Sequence, residues 1–394
     1  MLHHVRRRGS MAKADLARAT ELSTQSASVI INRLLDEQLV RKLGAVRGRV
    51  GQPSQPIALN PDGAYAIGVH IGRRSLEIML LDLTGQPRFR VEVAYPHPVV
   101  DAVFAAIGEQ IGAIVARLGA DGAARLCGIG VAAPLALGTW HRLLGQAPEQ
   151  ARQWAEIELR TRLQAMTTLP VTFAKDTAAA CVAELLAGRG RGVNDYLYVY
   201  LDALAGGSLV LGGRPHRGAN GNAGALGSMP LPPAMGVPPE PSASGRSHEH
   251  GAHVEHAEQR GPGAPPAQLL SVASLAMLEQ RYAEAGLEAA AARDARALDA
   301  PWRDLTHVWA GQAADALAYA ICSAACVVDL DAVIVDGKIG RGLLALLLSR
   351  VEIALTRYDW SGANRPPVLA GEVGVDANVI GAAYLALHAA FAPG

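Results

Sequence analysis

Cysteine is scarce in this chain, with four residues among 394, and none of the four is spaced as a metal-binding pair. Cys127, Cys181, Cys322 and Cys326 therefore give no disulfide framework, and reduced thiols are the expectation. Cys322 and Cys326 stand one helical turn apart in an apolar segment, which reads as core. Long apolar runs are lacking too. Half the residues are apolar, yet no run approaches the roughly 18 that span a bilayer, and no signal-type apolar segment follows the arginine-rich start. A soluble, cytoplasmic protein without a membrane partner is expected. Net charge is also absent, since 36 Lys and Arg balance 36 Asp and Glu. At this length two or three domains are the natural count.

The charge is unevenly placed. Residues 1–60 hold ten Lys or Arg against four Asp or Glu, a net of +6, so the other 334 residues carry −6. Such asymmetry is the footprint of a DNA-binding head on a body that does not bind DNA. Within the head, Met11 to Val40 reads as two short helices joined by a turn at Glu21-Leu22-Ser23. Ala12, Leu16 and Ala19 form one buried stripe, and Ala27, Ile30, Ile31 and Leu34 form the other. Ser23 or Thr24 caps the second helix, whose opposite face shows Gln25, Ser28 and Asn32, polar and short enough to reach base edges.

Taken alone, this pair also fits an ordinary helical hairpin with a solvated face. Its flanks favour a helix-turn-helix. Leu39 to Leu43, a basic glycine-rich tip from Gly44 to Gly51, and the return run Ile57-Ala58-Leu59 read as a two-stranded wing. The expected DNA contacts are Gln25, Ser28 and Asn32 toward bases, Arg41, Lys42, Arg47 and Arg49 toward phosphates or a groove, and Thr24 at the start of the second helix. Leu2 to Arg8 reads as a supporting helix short enough to leave an earlier start open. Asn60-Pro61-Asp62-Gly63 is turn chemistry and marks the first boundary.

From Ala66 the texture becomes α/β. A three-stranded meander (AIGVHIG, LEIMLLDL, RFRVEVAYP) precedes a helix over Asp101 to Leu118 and a strand over Cys127 to Ala133. Helix is expected over Glu149 to Gln164, strand over Val171 to Ala174, and helix over Thr177 to Gly188. Tyr196 to Leu201 and Ser208 to Leu211 open a second strand set much like the first. The pattern implies a duplication, with a first lobe over 61–190 and a second over 191–394. Leu269 to Ala285, Pro301 to Val328 and Asn378 to Phe391 read as helices, and AVIVDG as a strand.

The order of ADLARATELS, GIGVAAPL, PVTFAKDTAAACVAE, RGANGNAGALGSMPL and DAVIVDG…GVDANVIGAAYLA resembles the ROK family of repressors, open reading frames and sugar kinases. The likeness is to its winged-helix transcriptional members of the xylose- and N-acetylglucosamine-repressor type, and it runs over nearly the whole chain. It implies a duplicated actin-like (ribonuclease H-like) ATPase body with a sugar site, and a homodimer or homotetramer on double-stranded operator DNA.

Departures from the family pattern fall on the kinase chemistry. Where family kinases have an acidic residue and a phosphate loop, this chain has His70-Ile71-Gly72-Arg73-Arg74. The second phosphate loop is Asp202-Ala203-Leu204-Ala205-Gly206-Gly207, and the third cluster is Asp336-Gly337-Lys338. Asp176 matches the family's catalytic base, a carboxylate at a helix start, but its usual Asn neighbour is Lys175. The family's sugar-site glutamate and its histidine are Ala225 and Ser228 here. The family's zinc cysteines are replaced by a Pro-, Gly- and His-rich stretch over about 232–267, expected as a disordered loop, and His248, His250, His253 and His256 are not taken as a zinc site.

The resulting expectation is a regulator rather than an enzyme, taken as a repressor of carbohydrate-related genes, without cofactor or metal. A sugar or sugar derivative is its expected effector, with Asp176, Lys175, Asn220 and Asn222 as the ligand residues. A ligand-independent regulator using the body as a dimerisation scaffold, and an active sugar kinase, remain the alternatives.

Overall fold

The computed structural model describes residues 1–44, 55–135, 137–138, 147–235 and 266–391. Arg47 and Arg49, and the four histidines of the Pro- and Gly-rich stretch, lie outside these residues.

The head begins with α1 (Leu2–Arg8), β1 (Ser10–Met11), α2 (Lys13–Ala19) and α3 (Thr24–Asp36). Thr20 Oγ donates to the Leu16 carbonyl and the Leu22 amide returns to the Ala17 carbonyl, closing the turn with Glu21 at φ 55°. Ser23 then caps α3, its hydroxyl oxygen accepting from the Ser26 amide at 3.1 Å. Past α3, Gln38 adopts φ 57° and the Leu39 amide bonds back to the Leu34 carbonyl, a left-handed stop that turns the chain into β2 (Val40–Lys42). With β3 (Ile57–Leu59) these strands form a three-stranded sheet in the order β1-β3-β2, antiparallel throughout. The third strand, Ser10–Met11, is not evident from sequence because two residues are too few for a period.

The next elements are β4 (Tyr65–Ile71), β5 (Ser75–Asp82), β6 (Pro87–Ala94), α4 (Val100–Ala123) and β7 (Leu126–Ala133), then α5 (Pro148–Ala155), α6 (Leu159–Gln164), β8 (Val171–Lys175) and α7 (Asp176–Ala187). The single helix expected over 149–164 is two, because the Glu158 carboxylate accepts from the Arg160 and Thr161 amides and starts α6 afresh. The five strands lie in the order β6-β5-β4-β7-β8, with the meander antiparallel and the β4–β7 and β7–β8 pairs parallel.

The chain continues through β9 (Tyr196–Leu201), β10 (Gly206–Leu211), β11 (Arg214–His216), α8 (Leu270–Ala273), α9 (Leu275–Glu284), α10 (Arg303–Ala325), β12 (Ala332–Gly337), α11 (Arg341–Leu355), β13 (Val368–Ala370) and α12 (Ala377–Phe391). The second sheet runs β11-β10-β9-β12-β13. Numbered within each set, both sheets are 3-2-1-4-5, which makes the duplication explicit.

Two compact units result. One comprises residues 1–198, 208–223 and 371–394, and the other residues 199–207 and 224–370. The terminal helix α12, which the sequence reading assigns to the second lobe, lies in the first unit. One face of the first sheet, built on Ile67, Val69 and Ile71, packs on Val103, Phe104 and Ile107 of α4. The other face, with Ala66, Met79 and Leu81, shares a core with Val379, Ala383 and Leu387 of α12 and with Val5, Leu16, Ile31, Ile57 and Leu59 of the head. The alternation of β4 thus supplies two cores.

Glycine brings α12 that close. A Cβ added at Gly68, Gly130 or Gly381 would lie 2.1, 1.7 and 1.7 Å from the carbonyl oxygens of Val379, Ala382 and Ala179 respectively. Backbone therefore lies directly on backbone at the meeting of α12, α7 and the sheet.

By length and composition α4 and the segment Gly374–Phe391 are each apolar enough to cross a membrane, although no uninterrupted apolar run is. Each instead lays a face on the first sheet. Of the two cysteines expected in the core, Cys322 is half-buried and Cys326 is exposed, because α10 ends at Ala325.

Candidate functional site

The first candidate surface is the outward side of α3. Ala27 and Ile31 are its buried anchors, and Thr24, Gln25, Val29, Asn32 and Arg33 are exposed. Ser28 lies at the margin, half-buried, rather than on the open face expected of it. Ile30, expected inside, is exposed, so α3 buries a narrower stripe than its four apolar residues suggest. Arg41 and Lys42 are exposed on β2, opposite Ala58 and Ile57 of β3. The head is fixed to the first sheet by polar contacts as well. Arg6 donates to the Leu83 carbonyl at 3.0 Å and lies over the Tyr384 ring, and Arg125 donates to the Asp62 carbonyl and to Gln38 Oε1.

The second candidate surface surrounds β8 and α7. Lys175 ends β8 and Asp176 is the first residue of α7, both half-buried. Asp176 Oδ1 accepts from the Thr177 amide at 2.7 Å, and its carbonyl accepts from Asn378 Nδ2 of α12 at 3.1 Å. Asn378 is buried, and its Oδ1 has no hydrogen-bond partner among the described residues. Burial pulls the Lys175 ammonium below its ordinary pKa, against the opposing pull of the Asp176 charge. Asn220 and Asn222 are exposed on the turn-rich segment after β11, and no hydrogen bond among the described residues joins either to Asp176.

The loop after β4 is a closed hairpin. The Gly72 amide bonds to the Ser75 carbonyl at 2.9 Å, Tyr95 Oη donates to the Gly72 carbonyl at 2.8 Å, and Arg73 donates to the Leu137 carbonyl at 3.1 Å. Beneath it, His70 of β4 faces Glu77 of β5 in register, Nδ1 to Oε2 at 3.0 Å, and Ser75 Oγ donates to Glu77 Oε1 at 2.5 Å. His70 and Glu77 are buried, and burial together with the nearby Glu77 charge drives the Tyr95 phenol well above its ordinary pKa. Glu77 was missed from sequence. Its signal was an acid in the middle of the apolar strand LEIMLLDL, all of whose β5 positions are buried, with the strand's other acid, Asp82, at its end.

In the second unit, Asp202 accepts from Arg293 Nη1 at 2.8 Å while Arg293 Nε donates to Glu279 at 2.7 Å. Burial alone would raise the Asp202 pKa, but the Arg293 and Lys338 charges outweigh it and hold the carboxyl far below its ordinary value. The Leu275 amide bonds to the Asp202 carbonyl and the Ala205 amide to Ser274 Oγ, so residues 202–205 are stitched to the α8–α9 junction. Asp336 is buried and paired with Arg341 at 3.1 Å. Among the described residues no group of three His, Cys, Asp or Glu side chains is gathered as a metal site needs.

Comparison with known proteins is consistent across sequence and structure. A transcriptional regulator of Mycobacterium bovis is 28% identical over 232 residues, 58% of this chain and 51% of its own. The chain thus spans about half the length of the curated relatives it matches. The crystal structure of a ROK family transcriptional regulator, a homologue of the E. coli Mlc protein, superposes with a TM-score of 0.67 at 20% identity, covering 96% of this chain and 93% of that one. A ROK family glucokinase from Streptomyces griseus, solved with glucose and AMPPNP, superposes with a TM-score of 0.58 at 22% identity, covering 82% of this chain and 99% of that one. At these identities the superpositions establish a shared α/β fold with a sugar-kinase-like body. The ROK family model matches residues 66–389, and with β4 through α12 inside that span the chain belongs to the ROK family.

Proposed function

We propose that this chain is a DNA-binding transcriptional regulator, a repressor in the simplest form, whose residues 1–60 are a winged helix-turn-helix and whose body senses a sugar or sugar derivative. The observation that carries the reading is α3. It is a capped helix with Gln25, Asn32 and Arg33 exposed, on a head of net charge +6. The transcriptional regulators among its relatives support the same reading. In this proposal Gln25, Ser28 and Asn32 face bases, Arg41, Lys42, Arg47 and Arg49 face phosphates or a groove of operator DNA, and Thr24 joins them at the start of the helix. A homodimer or homotetramer presents two such heads to two half-sites.

The effector site is proposed around Lys175 and Asp176, with Asn220 and Asn222. Helix α12 gives it a route to the head. Asn378 at one end holds the Asp176 carbonyl, Tyr384 and Leu387 further along share a core with Val5, and the Tyr384 ring lies beneath Arg6. A ligand that binds two positions of this helix unequally shifts the population of head positions and so the operator affinity. Against phosphoryl transfer stand the closed hairpin at 72–74 and the internal pairing of Asp202 and Asp336, which occupy the places where the family resemblance locates phosphate loops.

Beside the scaffold reading stands a kinase reading. Asp176 at the start of α7 favours it, as does the likeness to a glucokinase. A thermal-shift panel of sugars, amino sugars, sugar phosphates and Mg-ATP separates both from the sensor reading. A sugar that raises the melting point while Mg-ATP does not is the expected result, and a ligand at a hundred times its Kd adds about 2.7 kcal/mol. A shift with Mg-ATP overturns the sensor reading. A panel without any shift supports the body as a dimerisation scaffold. For the head, replacing Arg41 and Lys42 together by alanine should lower the salt dependence of DNA binding by about two units of slope. An unchanged slope in titrations from low to physiological salt removes both residues from the interface.

A further inference from the structure

Among the described residues of α3, Val29 is the apolar side chain most exposed to solvent. Val29 is 66% exposed. Two residues along a helix are a rotation of about 200°. Val29 follows Ala27 by two and precedes Ile31 by two, so it points away from both buried anchors. Gln25, Ser26, Asn32 and Arg33, at i−4, i−3, i+3 and i+4, are its exposed neighbours on that face. Arg33 pairs with Glu37 along the flank at 2.8 Å. A β-branched residue at such a position adds no helix propensity and buries nothing within the chain.

Resting on the reading of α3 as the recognition helix, we propose that Val29 reads thymine, its two methyl groups packing on the C5-methyl of a thymine between the bases faced by Gln25 and Asn32. Thymine is the base that presents an apolar group in the major groove, whereas the other three present only donors and acceptors there. An aliphatic side chain placed on those polar edges would desolvate them without a replacement hydrogen bond. DNA is the occupant favoured over a protein surface because the head is +6 and the exposed residues bracketing Val29, namely Gln25, Ser26, Asn32 and Arg33, are uncharged polar or cationic. Val29 therefore sets a sequence preference that the polar residues of the helix do not supply.

The test uses the full chain and a randomised duplex library, followed by the selected duplex with each thymine replaced singly by deoxyuridine, which removes only the 5-methyl group. One thymine in each half-site is expected at which this replacement weakens wild-type binding about fourfold, the worth of one buried carbon. The Val29→Ala protein is expected to bind the thymine and deoxyuridine duplexes equally. A wild-type protein that selects a sequence but ignores every methyl deletion overturns the proposal and leaves the DNA-binding reading standing. So does a Val29→Ala protein that keeps the wild-type methyl sensitivity. A Val29→Ala change that alters the sedimentation of the free protein, with no thymine effect, assigns the residue to a contact between copies and also overturns it. A wild-type protein that selects no sequence overturns the DNA-binding reading itself and the proposal with it.

Discussion

Replacing Gly381 by alanine tests the seat of α12. The added Cβ would lie 1.7 Å from the Ala179 carbonyl oxygen and 2.4 Å from its carbon, both backbone atoms of α7 that no rotamer change can move. Bringing the oxygen even to 3.0 Å needs a separation of about 1.3 Å between the helices. α12 retreats from α7 only by sliding along a sheet on which Gly68 and Gly130 already place backbone against backbone. Overpacking of this kind costs about 1–3 kcal/mol, here at the upper end because the clash is with main chain. Alanine returns about 1 kcal/mol of helix propensity, leaving a net loss of about 2 kcal/mol. A loss of that size lowers Tm by about 4–8 °C in a unit of this size. Gly112, in α4, is the control, since a Cβ there meets nothing within 4 Å. Gly112→Ala should hold or raise Tm, through propensity alone. Far-ultraviolet circular dichroism melts of the three proteins read the difference. If Gly381→Ala melts with or above Gly112→Ala, the close approach of α12 to α7 is refuted, and with it the proposed route from Asp176 to the head.

Glu77→Ala should destabilise the first unit by about 1–3 kcal/mol, because it strips a buried partner from both His70 and Ser75. Urea titration measures it, and a midpoint within error of wild type would show the pair to be dispensable. Asp202 makes a prediction in acid. Its folded pKa is depressed, so its contribution is full above its unfolded pKa of about 3.9 and is lost as pH falls toward the folded value. Wild-type Tm should therefore fall more steeply below about pH 4 than that of Asp202→Asn. Parallel curves would remove the Arg293 pairing as the cause. Cys326 should react quickly with a thiol reagent, and Cys181, buried with its thiol pushed up to about 12, only after unfolding.

The sequence by itself determined the local structure and the family. Periodicity placed α3 with Ala27 and Ile31 inside, though it put Ile30 there too, narrowed its cap to Ser23 or Thr24, and the repeated strand sets announced two sheets, because each of these rests on residues close in the chain. It also placed Asp176 at a helix start. What it could not determine depends on residues distant in the chain. The assignment of α12 to the first unit is one such case, since an apolar helix carries no address and only the glycine contacts at Gly68, Gly130 and Gly381 select the sheet it covers. The partnership of His70 with Glu77 is another, fixed by strand register rather than by spacing. Asp202 read as the remnant of a phosphate loop until tertiary structure brought Arg293, 91 positions away, onto it. The exposure of Val29 belongs here too. Helix spacing sets Val29 two residues from both Ala27 and Ile31, but how far it stands exposed, and that Ile30 leaves the buried stripe expected of it, follows from the packing of Ala27 and Ile31 against the rest of the head.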